Sequence, residues 1–121
     1  MTEEQKDLKD LLIRDLCARL PYGVVVKDRN GVHILTSGNT EFIDLFNGKC
    51  NIKPYLFPLS SMTEEQMKEC LSTKHKIIKS SGKFMYLDSP NTINYYHKNH
   101  IDYRGLIPMD LAIDATGLNI Y

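Results

Sequence analysis

The sequence predicts an α+β fold: an N-terminal helix, a small antiparallel sheet of about three to five strands, and two further helices. Three observations predict it. Leu8, Leu11, Leu12, Leu16 and Leu20 recur at spacings of three and four, which places them on one stripe of a helix. Asn30-Gly31, Gly38-Asn39 and Asn47-Gly48 are close-set turn signals between short apolar runs, the pattern of an antiparallel meander. Thr63-Glu64-Glu65-Gln66 and Ser89-Pro90 mark two later helix starts.

Taken in order, residues 1–20 form the first helix. Thr2 is its N-cap, Gln5 closes a capping box, and Glu3 and Glu4 sit at the positive end of the helix dipole. Cys17 falls on the leucine stripe and is expected to be a buried free thiol. Pro21 ends the helix, because the residue before a proline avoids the α region. Residues 23–58 read as the meander. Val24-Val25-Val26-Lys27 and Val32–Thr36 are strands, and Glu41–Phe46 is a third, although Phe42, Leu45 and Phe46 also fit one helical turn. Cys50-Asn51-Ile52 is a short strand ended by Pro54, and Tyr55-Leu56-Phe57 runs extended across the core between Pro54 and Pro58. Residues 63–72 form the second helix, with Met67, Cys70 and Leu71 as its apolar face. Residues 74–88 form a basic hairpin around Ser80-Ser81-Gly82, and residues 89–100 a third helix carrying Ile93, Tyr96, His97 and His100 on one side. The tail, 106–121, is too apolar for a loose end and should dock, with Gly117 and Asn119-Ile120-Tyr121 fraying. A helix followed by such a meander is compatible with a partly open SH3-like or Sm-like barrel, by analogy of fold alone. The length of 121 residues suits a single domain with one core.

Composition narrows the function classes. The chain is 42% apolar and 25% charged, ordinary for a soluble globular protein. Its 15 basic and 15 acidic residues cancel, which removes any whole-chain case for nucleic acid or an anionic membrane and leaves self-association easy. Cys17, Cys50 and Cys70 form no CxxC pair, so neither a zinc site nor a disulfide framework is suggested, and a reducing cytoplasm is the expected compartment. The polar, acidic start at Met1-Thr2-Glu3-Glu4-Gln5 does not read as a targeting peptide, and no apolar run approaches the roughly 20 residues of a membrane span.

The candidate chemistry is sparse. His97 and His100 stand at i and i+3, a spacing that can chelate a metal, but the set is incomplete without a third ligand such as Asp102 or His75. The plainer reading is a helix end favoured by the dipole. His100, Asp102, Tyr103 and Arg104 gather groups able to hold a phosphate or carboxylate. Neighbours on an extended stretch point apart, however, so the favoured reading is a turn in which Asp102 caps backbone amides. Lys53 and Tyr55 complete the set of residues assigned to a partner or ligand. Lys74, Lys76, Lys79 and Lys83 form the only stretch of one sign, able to meet a nucleic-acid backbone or an acidic protein beside Phe84 and Tyr86. More often such a run is a solvated hairpin. No nucleophile elbow, dinucleotide or phosphate-loop pattern is present. No catalytic residue, cofactor or metal is therefore assigned.

Three segments rich in Pro, Gly and Tyr join the apolar runs: Leu16–Val24, Ile52–Leu56 with Pro58–Glu65, and His100–Ile107. In these segments the chain resembles a family of small uncharacterised proteins of gut Bacteroidetes and of their phages and prophages. The family often carries arginine where this chain has Phe57, a more acidic tail, and a variable insertion over 73–88. The resemblance implies a mobile-element setting in the cytoplasm of the host cell and no established activity. The leading expectation is a non-enzymatic phage or prophage accessory protein that binds a macromolecule, foremost a protein. Nucleic-acid binding through the lysine run comes second, and a small ligand or metal around His97, His100, Asp102 and Arg104 third.

Overall fold

A computed structural model describes residues 2–38, 42, 43, 45 and 52–121 of the chain. Helix α1 (Glu3–Arg19) starts at Thr2, whose hydroxyl accepts from the Gln5 amide at 3.2 Å while the Gln5 side chain accepts from the Thr2 amide at 3.0 Å. Both amides lie in the first turn, where the helix cannot satisfy them itself. A 3-10 turn, Leu20–Tyr22, follows, and left-handed Gly23 (φ 71°) releases the chain into β1 (Val25–Asp28). The hairpin to β2 (Gly31–Ile34) turns through Arg29-Asn30, with Asp28 accepting from the Asn30 amide at 2.8 Å.

Strand β3 (Lys53–Pro58) lies antiparallel to β1, with Val26 opposite Pro54. The chain then leaves the sheet for α2 (Glu64–Ser72), the hairpin β4 (His75–Ile78) and β5 (Phe84–Leu87), and α3 (Pro90–Lys98). It returns through β6 (Ile101–Asp102) and β7 (Ile113–Asp114), both parallel to β3. That excursion is long enough to reverse the chain twice, as a parallel pairing requires. The class is α+β, and the helices with fully described bounds are the N-terminal one and two further helices. The sheet is mixed, not wholly antiparallel, and its order β2-β1-β3-β6 is an open path that does not close into a barrel.

Local signals place the later helices as expected. Thr63 and Gln66 form a second capping box, and the Ser89 hydroxyl caps α3 with Pro90 in its first turn. The third strand expected over Glu41–Phe46 is corrected: Phe42, Ile43 and Leu45 are helical. Phe42 and Leu45 are both buried, and residues three apart share a side of a helix but oppose each other on a strand. The Asn47-Gly48 turn and Cys50-Asn51 lie outside the described residues, and Ile52 is buried just before β3.

The main core joins the stripe of α1 (Leu12, Leu16) to Val24, Val26, Leu35, Leu56, Leu106 and Ala112. Cys17 points away from it and is exposed, contrary to expectation, because Asp15 and Arg19 take places on the buried side of the helix. A second cluster joins Val25, Tyr55 and Ala115, and a third joins Cys70, Tyr96 and Ile101. Cys70 alone of the expected α2 face is buried; Met67 and Leu71 are exposed.

The tail docks through Leu106, Ala112 and Ala115, and its last residue does not fray as expected. The Tyr121 hydroxyl accepts from the Val25 amide at 2.9 Å and donates to the Tyr55 carbonyl at 2.7 Å, bridging β1 and β3. Burial of that phenol pushes it up to about 12, although 43% of the residue's surface remains open to solvent. Tyr121→Phe leaves a strand amide without this acceptor. It should lower the free energy of unfolding by about 1–2 kcal/mol in urea titration.

Candidate functional site

Two constellations stand out: a buried polar cluster beneath α1, and the surface hairpin. The cluster begins with Asp15 and Arg19, one helical turn apart and both fully enclosed. Arg19 Nε donates to Asp15 at 2.8 Å, and its terminal nitrogens donate to the Ile101 carbonyl at 2.6 Å and the Tyr96 carbonyl at 3.4 Å. This guanidinium ties α1 to α3 and β6. Arg104 approaches the same carboxylate, Nε to Oδ1 at 3.2 Å, as an ionic contact without hydrogen-bond alignment.

Tyr103 lies between these charges. Its ring stacks on Tyr96 at 5.1 Å, with the Arg104 guanidinium 5.0 Å and the Arg19 guanidinium 5.7 Å from its centroid. Its hydroxyl is 2.7 Å from His97 Nε2. Burial lowers the His97 pKa, with the nearby Arg19 charge adding to the effect, so the imidazole is neutral near pH 7. Burial raises the Tyr103 pKa against the opposing pull of Arg104.

The residues expected to form one binding site separate. Asp102 is buried and spends both oxygens on the amides of Leu106 (2.8 Å) and Ile107 (2.9 Å), the turn-capping role favoured from sequence. Asp102, Tyr103 and Arg104 do share the wall of a cleft of about 460 Å³ with Pro58, Ser60 and Pro108. His100 instead faces a cleft of about 440 Å³, with its ring stacked on Tyr121 at 3.6 Å. Lys53 pairs with Asp110 at 2.8 Å on the surface, and Tyr55 is core. His97 and His100 have different neighbours and do not converge. Among the described residues no three His, Cys, Asp or Glu side chains gather as a metal site would need. Among them also no helix is long and apolar enough to cross a membrane.

The hairpin is different in kind. Every residue of β4 and β5 is exposed, including Ile77, Ile78, Phe84, Met85, Tyr86 and Leu87, with Ile78 at 69% and Phe84 at 56%. The pairing register puts Ile78 opposite Phe84 and Lys76 opposite Tyr86. Strand side chains alternate, so Lys76, Ile78, Phe84 and Tyr86 form one face and His75, Ile77, Met85 and Leu87 the other. Lys76 rests its ammonium 3.9 Å from the centre of the Phe84 ring, and Lys74 pairs with Asp88 at 3.1 Å. Lys79 and Lys83 flank the turn.

Sequence reasoning expected a solvated lysine hairpin but not that its apolar residues would also be bare, since their exposure depends on what the rest of the chain leaves uncovered. It missed Asp15 and Arg19, whose signal is an acid and a base four residues apart on an apolar helix stripe. No family model, no curated protein and no solved structure matches this chain.

Proposed function

We propose that the chain is a non-enzymatic accessory protein of a phage or prophage that binds another protein in the host cytoplasm, and that the hairpin is its docking element. The observation that supports this reading most is the apolar face of Ile78, Phe84 and Tyr86, bare on a two-stranded sheet. Such sheets are marginal in water alone, and contiguous exposed apolar surface on a soluble protein marks an interaction site. Lys76 on that face, with Lys79 and Lys83 at the adjoining turn, suits a partner whose apolar contact surface has an acidic rim. The resemblance stated above supplies the phage or prophage setting.

Ile78→Ser combined with Phe84→Ser removes most of the apolar face without touching the core. Unfolding free energy should change by less than about 1 kcal/mol, because neither side chain is buried. Capture of a host or phage protein by the immobilised chain should be lost. Capture at the wild-type level, or turnover of a substrate by protein that captures nothing, would overturn the proposal. Nucleic acid is the weaker reading, since Lys74 and Lys76 are engaged within the hairpin. It requires a salt-dependent mobility shift that disappears when Lys74, Lys76, Lys79 and Lys83 are neutralised.

A further inference from the structure

We infer that the outer edge of β5, the side away from β4, which no strand pairs among the described residues, joins β5 of a second copy, giving a two-fold dimer with a continuous sheet ordered β4-β5-β5-β4. This rests on the reading of the hairpin as a protein-docking element, and it uses the edge where that reading uses the face.

Backbone geometry shows what the edge offers. At the turn the Lys79 amide donates to the Lys83 carbonyl at 2.8 Å. Bonded and unbonded pairs alternate along an antiparallel ladder, so Ile77 with Met85 is bonded and Ile78 with Phe84 is not. Phe84 and Tyr86 therefore turn their amides and carbonyls outward from β5, as Lys76 and Ile78 do from β4.

The two edges differ in charge. Lys76 lies on the β4 edge with Lys74 and Lys79 beside it, and two such edges brought together would cluster like charges. Lysines of this kind are a common guard against edge pairing. From Phe84 to Leu87 β5 carries no charge, no proline and no bulge. An uncharged strand meets a copy of itself without repulsion, and the chain's formal net charge of +0 adds none at longer range.

Antiparallel pairing about a two-fold axis at Met85 satisfies all the outward groups of Phe84 and Tyr86. It sets Phe84 opposite the partner's Tyr86, and Tyr86 opposite the partner's Phe84, which are aromatic cross-strand pairs on the apolar face. Met85 meets the partner's Met85 on the opposite face. The contact is isologous and closes after two copies, so it makes a dimer and not a filament.

Sedimentation over a concentration series should show wild-type protein rising to twice the 13.9 kDa of the chain. Met85→Lys places two ammonium groups opposite each other on the axis and should give monomer, as should Met85→Glu. An equimolar mixture of the two variants should recover the doubled mass. Tyr86→Pro removes an outward amide without breaking a bond to β4 and should also give monomer. Monomeric wild type at every concentration, dimeric Met85→Lys, or no recovery in the mixture would each overturn the dimer. The partner-capture assay separates the two readings. Monomeric wild type that still loses its partner with the Ile78 and Phe84 substitutions sinks only the dimer. A dimer whose capture ignores those substitutions sinks only the face.

Discussion

Asp15→Leu is expected to destabilise the protein by about 3–5 kcal/mol, because it leaves two guanidinium groups packed together around no carboxylate. Arg19 is fully enclosed, and Arg104 is within 4 Å of no carboxylate but Asp15 among the described residues. Arg19→Met should cost somewhat less, since Arg104 remains beside Asp15 at 3.2 Å, although the carbonyls of Ile101 and Tyr96 lose a donor. Small domains are stable by only about 5–15 kcal/mol, so either change takes a large share. The double variant Asp15→Leu with Arg19→Met should recover part of the loss, because apolar residues of similar size often replace a buried ion pair well. Urea denaturation of the two singles and the double checks this. Single variants within about 1 kcal/mol of wild type would mean that the cluster is not the enclosed tie described here.

Unfolding free energy should also fall as pH drops from about 6.5 towards 4. Burial lowers the His100 pKa to about 4, with Arg19 adding to the effect, and His97 is lowered for the same two reasons. In the unfolded chain both imidazoles take up protons near pH 6.5, before the folded protein does, so stability is lost in that window as pH falls. His100 is only partly enclosed, and with solvent screening its share is about 1–2 kcal/mol. His33 works in the opposite sense. Its hydrogen bond to Asp28 at 2.7 Å raises its pKa, so its small contribution is complete below about 6.5 and disappears as pH rises through the raised value. His100→Asn is the informative variant. His100 has φ 57°, a left-handed conformation that asparagine tolerates, and the substitution removes titration while keeping the backbone. It should flatten the loss between pH 6.5 and 5, and an unchanged slope would refute the assignment.

How much of this was legible in the sequence depends on the range of the interaction. Thr2 with Gln5, Thr63 with Gln66 and Ser89 with Pro90 placed three helix starts, because caps are satisfied within four residues. The hairpin around Gly82 was equally local. The parallel pairing of β3 with Ile101 and Ile113 was not, since no turn signal marks strands joined across so much chain. Phe42 and Leu45 defeated the strand reading because four apolar residues in six, Phe42, Ile43, Leu45 and Phe46, do not decide between the two periods. In the candidate site, the turn made by Asp102 was foreseen as the plainer of two readings. The separation of His97 from His100 was not, because the helix ends at Lys98 and places His100 in a left-handed residue beyond it. The pairing of Arg19 with Asp15 four residues earlier was legible, but its bonds to the carbonyls at 96 and 101 were not, because any sequence supplies distant carbonyls.

The bond between Val25 and Tyr121 spans 96 positions, and this bears on the order in which the protein assembles. Pairing His75 with Leu87 closes a short loop, a microsecond event for an isolated hairpin. Joining β1, β3, β7 and Tyr121 must wait for long loops to close, and chains rich in such distant contacts fold in milliseconds to seconds. The uncovered hairpin would then be structured while the central sheet is still open. Newly made chains would meet one another, edge to edge, before each had finished folding, so refolding yield should fall with protein concentration more steeply than the stability of the finished sheet suggests.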